Sequence, residues 1–194
     1  MHTIKRILIK VFYTLPRMVK YNFLSTCSRV YGKPVKNGPV LINGEGAVSF
    51  GKNVNLGYSP SPFFYNSYIY IEARNNESKI EFESGVYINN NACFISEGNE
   101  GIKIGANTLM GTNVTIYDSD FHELHPGKRF TGVPETAGVS IGENVFIGSG
   151  VTILKGVQIG NNSVIGSGSV VVNSIPENVI AGGNPCRVIK SLLL

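Results

Sequence analysis

From Ile141 to Val171 an aliphatic residue returns at every sixth position, at Ile141, Ile147, Ile153, Ile159, Ile165 and Val171. The blocks read IGENVF, IGSGVT, ILKGVQ, IGNNSV, IGSGSV and VVNSIP. Neither a helix, with a period of about 3.6, nor a strand, with a period of about 2, produces such a run. A fixed hexapeptide period predicts a parallel β-helix, in which three short flats close a triangular coil of about eighteen residues. The aliphatic residue points inward and stacks on its equivalents in neighbouring coils, about 4.8 Å apart. Gly, and Asn at the fourth place (Asn107, Asn113, Asn144, Asn162), suit the positive φ of a corner.

The same phase runs upstream through Ile104, Met110 and Ile116, then Phe82, Ile88 and Phe94, and fades at Phe50 and Leu56. Atypical early coils are expected, because the end of a solenoid has to be capped. Two segments break the rhythm. Glu97 to Glu100 (EGNE) reads as a short corner insertion. Tyr117 to Gly138, YDSDFHELHPGKRFTGVPETAG, reads as a long polar loop extruded from the coil, a common place for function.

Ahead of the repeats, Ile4, Ile7, Leu8, Val11, Leu15, Met18 and Val19 recur at helical spacing, with Pro16 kinking or splitting the pattern. The chain thus divides into a helical arm, residues 1–36, and a β-helical body, residues 37–190, carrying the loop 117–138. Charge sharpens the division. The arm holds eight Lys or Arg and no acid, leaving nine bases and thirteen acids for the remainder, a +8 arm before a −4 body. Such a basic amphipathic helix fits either a cap over the end of the solenoid or a peripheral contact with an anionic membrane surface. No cleavable secretory signal is expected, since charges interrupt the apolar run, and no segment is long enough to cross a bilayer. A cytoplasmic protein, at the inner face of the membrane where the arm touches it, is the corresponding expectation. Cys27, Cys93 and Cys186 are odd in number and far apart, which gives neither a disulfide framework nor a CxxC metal site. With 42% hydrophobic residues, 23 Gly and no Trp, the composition suits one elongated body with many tight corners.

The repeats, the DFHELHP of the loop and the ending IPENVIAGGNPCRVIK together resemble the hexapeptide-repeat O-acetyltransferases. The likeness is greatest to the galactoside, maltose and nodulation-factor enzymes and to those of capsule and lipopolysaccharide clusters. It covers residues 80–190 and leaves out the first forty. The resemblance implies an all-β fold, a left-handed parallel β-helix, a homotrimer, and acetyl-coenzyme A held in a cleft between adjacent solenoids. Handedness does not follow from the period, and it runs against the usual right-handed crossover.

Acyl transfer to a hydroxyl needs a base for the hydroxyl proton, and a neutral imidazole is matched to that task. The chain has three histidines, His2 in the arm and His122 and His125 in the loop. The family's catalytic histidine lies a few residues beyond the coil preceding the loop, which the resemblance carries to His122, with His125 as its rival. Asp118 and Asp120 flank it as candidate orienting acids, and a backbone carbonyl can serve equally. The resemblance also carries acceptor binding to Asn89, with Tyr87 and Glu97 near other acceptor positions. Asn89, Asn90 and Asn91 could instead simply serve a corner. Donor contacts fall by resemblance on the backbone at Gly111, Ser149 and Ser167, with Arg187 and Lys190 at the nucleotide phosphates. The N–H of Ser149 is also suited to a developing oxyanion. The relatives often carry Trp where this chain has Phe146, and Thr-Lys where it has Val172-Asn173.

The resulting expectation is an acetyl-coenzyme A-dependent O-acetyltransferase of surface polysaccharide biosynthesis, with no metal. Alternatives are the same fold acetylating an amino sugar, serine or an antibiotic, or a non-catalytic binding module. A γ-type carbonic anhydrase needs three histidines on zinc, and His2 is far from the loop in sequence. Nucleic acid is not an expected partner, because the bases sit in one arm without an aromatic stacking platform.

Overall fold

A computed structural model of the chain describes residues 2–193, apart from the side chains of His2, Thr3 and Arg6. Met1 of the arm lies outside the described residues, as does the His2 ring that a zinc triad would need. The hexapeptide blocks form short strands gathered into three sheets of six, eight and six strands. The first face runs through Arg29–Tyr31, Ala47–Phe50, Lys79–Phe82, Ile102–Ile104, Val139–Ile141 and Gln158–Ile159. The second runs through Val35–Lys36, Asn55–Leu56, Tyr87–Ile88, Leu109–Met110, Phe146–Ile147, Val164–Ile165, Val179–Gly182 and Arg187–Ser191. The third runs through Val40–Asn43, Ile69–Ala73, Cys93–Ser96, Thr115–Tyr117, Thr152–Ile153 and Val170–Val171.

Register confirms the period. Ile141 pairs with Ile159, Ile147 with Ile165 and Ile153 with Val171, eighteen positions apart on each face. All six are at most 2% exposed, and each such side chain contributes about 1.5–3 kcal/mol by leaving water. In the earlier coils aromatic rings fill the same column. Phe50 stacks on Phe82 with centroids 5.2 Å apart, and Phe82 meets Phe94 edge-on at 5.1 Å.

Fourth-place Asn107, Asn113, Asn144 and Asn162 have φ of 53–58°. The second-place glycines have a different reason. A Cβ on Gly111 would lie 2.6 Å from the nitrogen of Ser149, and one on Gly148 would lie 2.6 Å from that of Ser167. Glycine stands there because the next coil passes too closely for a side chain.

Three insertions leave the edge between the third and first faces. They are the turn after Ala73, the EGNE segment and the long loop. Ile104 pairs with Ile141, thirty-seven positions on instead of eighteen, and the loop 117–138 takes up the difference. A further insertion, residues 57–68, leaves the edge between the second and third faces, and together with the turn after Ala73 it puts Ile88, the partner of Leu56, thirty-two positions on.

The arm is helical over His2–Ile9 and Leu15–Leu24, joined by a wide π turn over Lys10–Thr14. Pro16 splits the pattern without ending it: it sits in the first turn of the second helix, where its missing N–H is least needed, and Leu15 N–H reaches back to Lys10 O. The helix meets the body through polar and aromatic groups. Arg17 donates to the carbonyls of Phe64 (3.2 Å) and Ser67 (2.6 Å), Tyr13 OH donates to Tyr65 O, and Tyr21 stacks on Tyr68 at 4.5 Å. Most aliphatic residues that a cap would bury face outward instead. Arg29–Tyr31 and Val35–Lys36 already pair with Ala47–Phe50 and Asn55–Leu56, so the first coil begins within the stretch assigned to the arm. At the other end, Arg187–Ser191 turns back antiparallel onto Val179–Gly182. Among the described residues no helix is long and apolar enough to cross a membrane.

Candidate functional site

The edge between the third and first faces is built for the loop. Strand alternation turns Ile116 inward, Tyr117 outward and Asp118 inward again, and the last is fully buried. One Asp118 oxygen accepts from Glu97 N–H (2.7 Å); the other accepts from the Ser96 hydroxyl (2.7 Å) and Gly98 N–H (3.2 Å). Burial pushes its carboxyl above the usual range, although these bonds and Ser96 favour the ion. The loop base is therefore clasped to the EGNE corner one coil earlier. Ser119 extends the clasp, donating to the Glu97 carboxylate and accepting from Phe121 N–H. Glu97 also faces Arg74 at 3.6 Å, and Glu72 holds that guanidinium through two bonds of 3.1 and 3.2 Å. The guanidinium carbon lies 4.9 Å from the centre of the Phe121 ring, which Tyr117 meets edge-on at 5.2 Å. Phe121 has φ +61°, an uncommon conformation for a bulky residue, held here immediately before His122.

His122 is exposed on the loop, with Nδ1 3.3 Å from the carbonyl oxygen of Arg129. A carbonyl only accepts, so in the neutral ring Nδ1 carries the hydrogen, which leaves the lone pair on Nε2, a nitrogen without a hydrogen-bond partner among the described residues. His125 is arranged the opposite way. Its Nδ1 accepts from Gly127 N–H at 3.2 Å and caps the short turn Pro126–Lys128, which occupies its lone pair.

Neither candidate acid orients His122. Asp118 is committed to the corner beneath it. Asp120 forms an ion pair with Lys155 at 3.4 Å, without a well-formed hydrogen bond at that oxygen, and Lys155 also takes Glu135 at 3.0 Å. The expectation of an orienting acid gives way to the alternative, a backbone carbonyl, because alternation sends Asp118 inward and Lys155 holds Asp120 down.

The other predicted residues gather on different surfaces. Asn89, Gly111, Gly148 and Gly166 each follow a paired residue of the second face, and Asn90, Thr112, Ser149 and Ser167 follow them. Gly111, Ser149 and Ser167 thus line the edge between the second and third faces. Ser149 Oγ accepts from Thr112 N–H at 3.2 Å, while the N–H groups of Ser149 and Ser167 donate to no backbone group among the described residues. Asn89 opens this column from below, and its side-chain Oδ1 accepts from Asn90 N–H at 2.8 Å. Its two neighbours do serve the corner. Asn91 supplies φ 62°, and Asn90 donates to the carbonyls of Tyr58 and Pro62, pinning the insertion 57–68. Tyr87 stands half-exposed on the second face, in register with Leu109 and Phe146. Arg187 and Lys190 are exposed on the terminal antiparallel strand of that face. Within one chain, then, His122 and Glu97 share one edge while Asn89 and the Gly-Ser column share another.

Sequence reasoning missed Arg74, Glu72, Ser119 and Lys155, which position the loop. Cys93 is half-buried, and burial pushes its thiol up to about 11, so it is not a nucleophile near neutral pH. Among the described residues no group of three or more His, Cys, Asp or Glu could hold a metal ion.

A family model described as Bacterial transferase hexapeptide (six repeats) matches residues 138–173. Protein CapG of Staphylococcus aureus is 39% identical over 128 residues, 60% of this chain and 72% of that protein. WbbJ of Escherichia coli K12, whose name assigns it provisionally to lipopolysaccharide biosynthesis as an O-acetyl transferase, is 29% identical over 192 residues, 95% of this chain and 83% of that one. Other curated relatives at 42–44% identity, galactoside O-acetyltransferases of Lactococcus lactis and Escherichia coli among them, are spanned over only 53–59% of their own length. Among solved structures, the N-acyltransferase AntD of Bacillus cereus superposes with a TM-score of 0.60 at 22% identity, covering 92% of this chain and 88% of that one, a likeness of fold. From the repeats, the three-faced parallel coil and the relative spanned over 72% of its length, the chain belongs to the hexapeptide-repeat O-acetyltransferase family.

Proposed function

We propose that this protein transfers an acetyl group from acetyl-coenzyme A to a sugar hydroxyl in surface polysaccharide biosynthesis, with His122 as general base. The observation that carries the reading is the free Nε2 of His122, oriented by the Arg129 carbonyl on a loop clasped to the coil at its base. Nε2 takes the acceptor hydroxyl proton as the oxygen forms a bond to the thioester carbon. The resulting oxyanion is met by a backbone N–H such as that of Ser149. The carbon–sulfur bond then breaks, the carbonyl reforms, and the imidazolium returns its proton to the leaving thiolate, giving the ester and free coenzyme A. Asn89, with Tyr87 and Glu97 nearby in the family's arrangement, holds the acceptor. Gly111, Ser149 and Ser167 line the donor, and Arg187 and Lys190 meet its phosphates.

The active form is a homotrimer in which one copy brings its loop to the Gly-Ser edge of the next. Two features support this: His122 and Asn89 leave different edges of one chain, and the second face carries Tyr87, Leu109 and Phe146 in register, each 47–49% exposed. Polysaccharide as acceptor is supported by the name of WbbJ, which the chain matches over nearly its whole length. A cytoplasmic location fits a coenzyme A donor and three free thiols.

Incubating the protein with acetyl-coenzyme A and a panel of sugars, while following thiol release, tests the reaction. His122→Ala is expected to lower turnover by about a hundredfold or more. Turnover equal to the unmodified protein's removes His122 from the mechanism, and thiol release with no acetylated sugar in the product mass removes the acceptor.

A further inference from the structure

We propose that the helical arm is a membrane-contact surface that lies in the interface of a bilayer rich in anionic lipid. The docked side of the helix is fixed: Tyr13, Arg17 and Tyr21 hold it to residues 64–68. The opposite side bears Ile4, Leu8, Phe12, Leu15, Val19 and Phe23 at three- or four-residue intervals, with exposures of 41–87% and Phe23 the most exposed. A continuous apolar groove runs along Val11, Leu15, Pro16, Val19 and Phe23, edged by Lys20. A stripe of this size on a water-soluble surface calls for an occupant.

Charge identifies the occupant. No acid occurs before Glu45, while Lys5, Lys10 and Lys20 project exposed from the helix. Apolar residues on one side, edged by Lys20 and with further lysines along the helix, match the acyl boundary and the phosphate layer of an anionic leaflet. Packing this stripe on the same stripe of a second copy would bring lysines together with no acid between them. The helices span twenty-three residues and carry five bases, which suits lying along the surface and not crossing it. Because the docked face is held by the body, the stripe is presented outward before any lipid is met.

The test is flotation of the full-length protein with vesicles of phosphatidylcholine alone or with about a third phosphatidylglycerol. The protein is expected to float with the anionic vesicles only, and less at high salt. Val19→Asp with Phe23→Asp, at positions 68% and 87% exposed, abolishes flotation with an unchanged melting temperature. Replacing Lys5, Lys10 and Lys20 by Gln weakens vesicle binding about tenfold or more. Acetylation of a soluble sugar by the aspartate variant stays unchanged, which separates this proposal from the reaction assigned above. Equal binding to both vesicle types, binding to neither, or an aspartate variant whose mass in solution falls while flotation persists overturns the proposal. The last result would make the stripe an interface between copies.

Discussion

Two edges of the same triangular coil have opposite construction. Where the third face turns into the first, the chain adds residues at three successive levels and fills the space with charged and hydroxyl side chains: Glu72, Arg74, Glu97, Asp118 and Ser119. Where the second face turns into the third above Asn89, side chains are stripped to glycine and serine, and successive coils close to within a Cβ of each other. The first edge projects a loop with His122 and His125 away from the body; the second leaves bare backbone. The proposed reaction between a bulky thioester and an alcohol would use both, one to deliver a base and one to admit a long flexible donor.

Removing the clasp attacks the contrast most strongly. Asp118→Ala leaves three donors beneath the loop without an acceptor, and a loss of about 2–4 kcal/mol is expected in denaturant unfolding, with faster proteolysis within residues 117–138. Asp118→Asn adds a pH test. A carboxyl whose folded pKa is raised contributes more stability below the ordinary Asp range and loses it as pH rises through the raised value. The deficit of the Asn variant is therefore larger at acidic pH than at neutral pH; a deficit that grows toward neutrality contradicts the assignment.

Blocking the bare edge comes next. Gly111→Ala places a methyl group against Ser149 N, and overpacking of about 1–3 kcal/mol is expected in thermal melts, with a raised KM for acetyl-coenzyme A. An unchanged melting temperature would mean that the coils can separate there. Asn89→Ala is smaller: its side chain serves a single local bond, so stability holds within about 0.5 kcal/mol while the acceptor KM rises several-fold. Lys155→Ala removes ion pairs to a largely buried Asp120 oxygen and to an exposed Glu135, and a loss of about 1 kcal/mol is expected, with turnover nearly unchanged.

How far the sequence could be read differs along the chain. The aliphatic column from Ile141 to Val171 was legible in full, because each block repeats what its neighbour does eighteen positions away. The loop was equally plain as an interruption, with His122 in it. The fate of Asp118 was open to view in strand alternation, since Ile116 and Asp118 share a parity, but proximity in sequence drew it toward His122. The second-place glycines read as corner residues because their cause, the passing strand, lies a full coil away. Arg74 and Glu72 gave no signal at all. Insertions of unequal length separate them from Glu97 and Phe121, and no count of residues reveals that those levels stack.

The reversed strand Arg187–Ser191 has a consequence for the life of the molecule in a crowded solution. A stack of parallel rungs presents an open ladder at each end, and such a ladder is a template on which another chain can add itself. By folding its own tail back across the top of the second face, the protein occupies that ladder with a strand of opposite polarity. A second molecule arriving head to tail therefore meets no parallel register on that face.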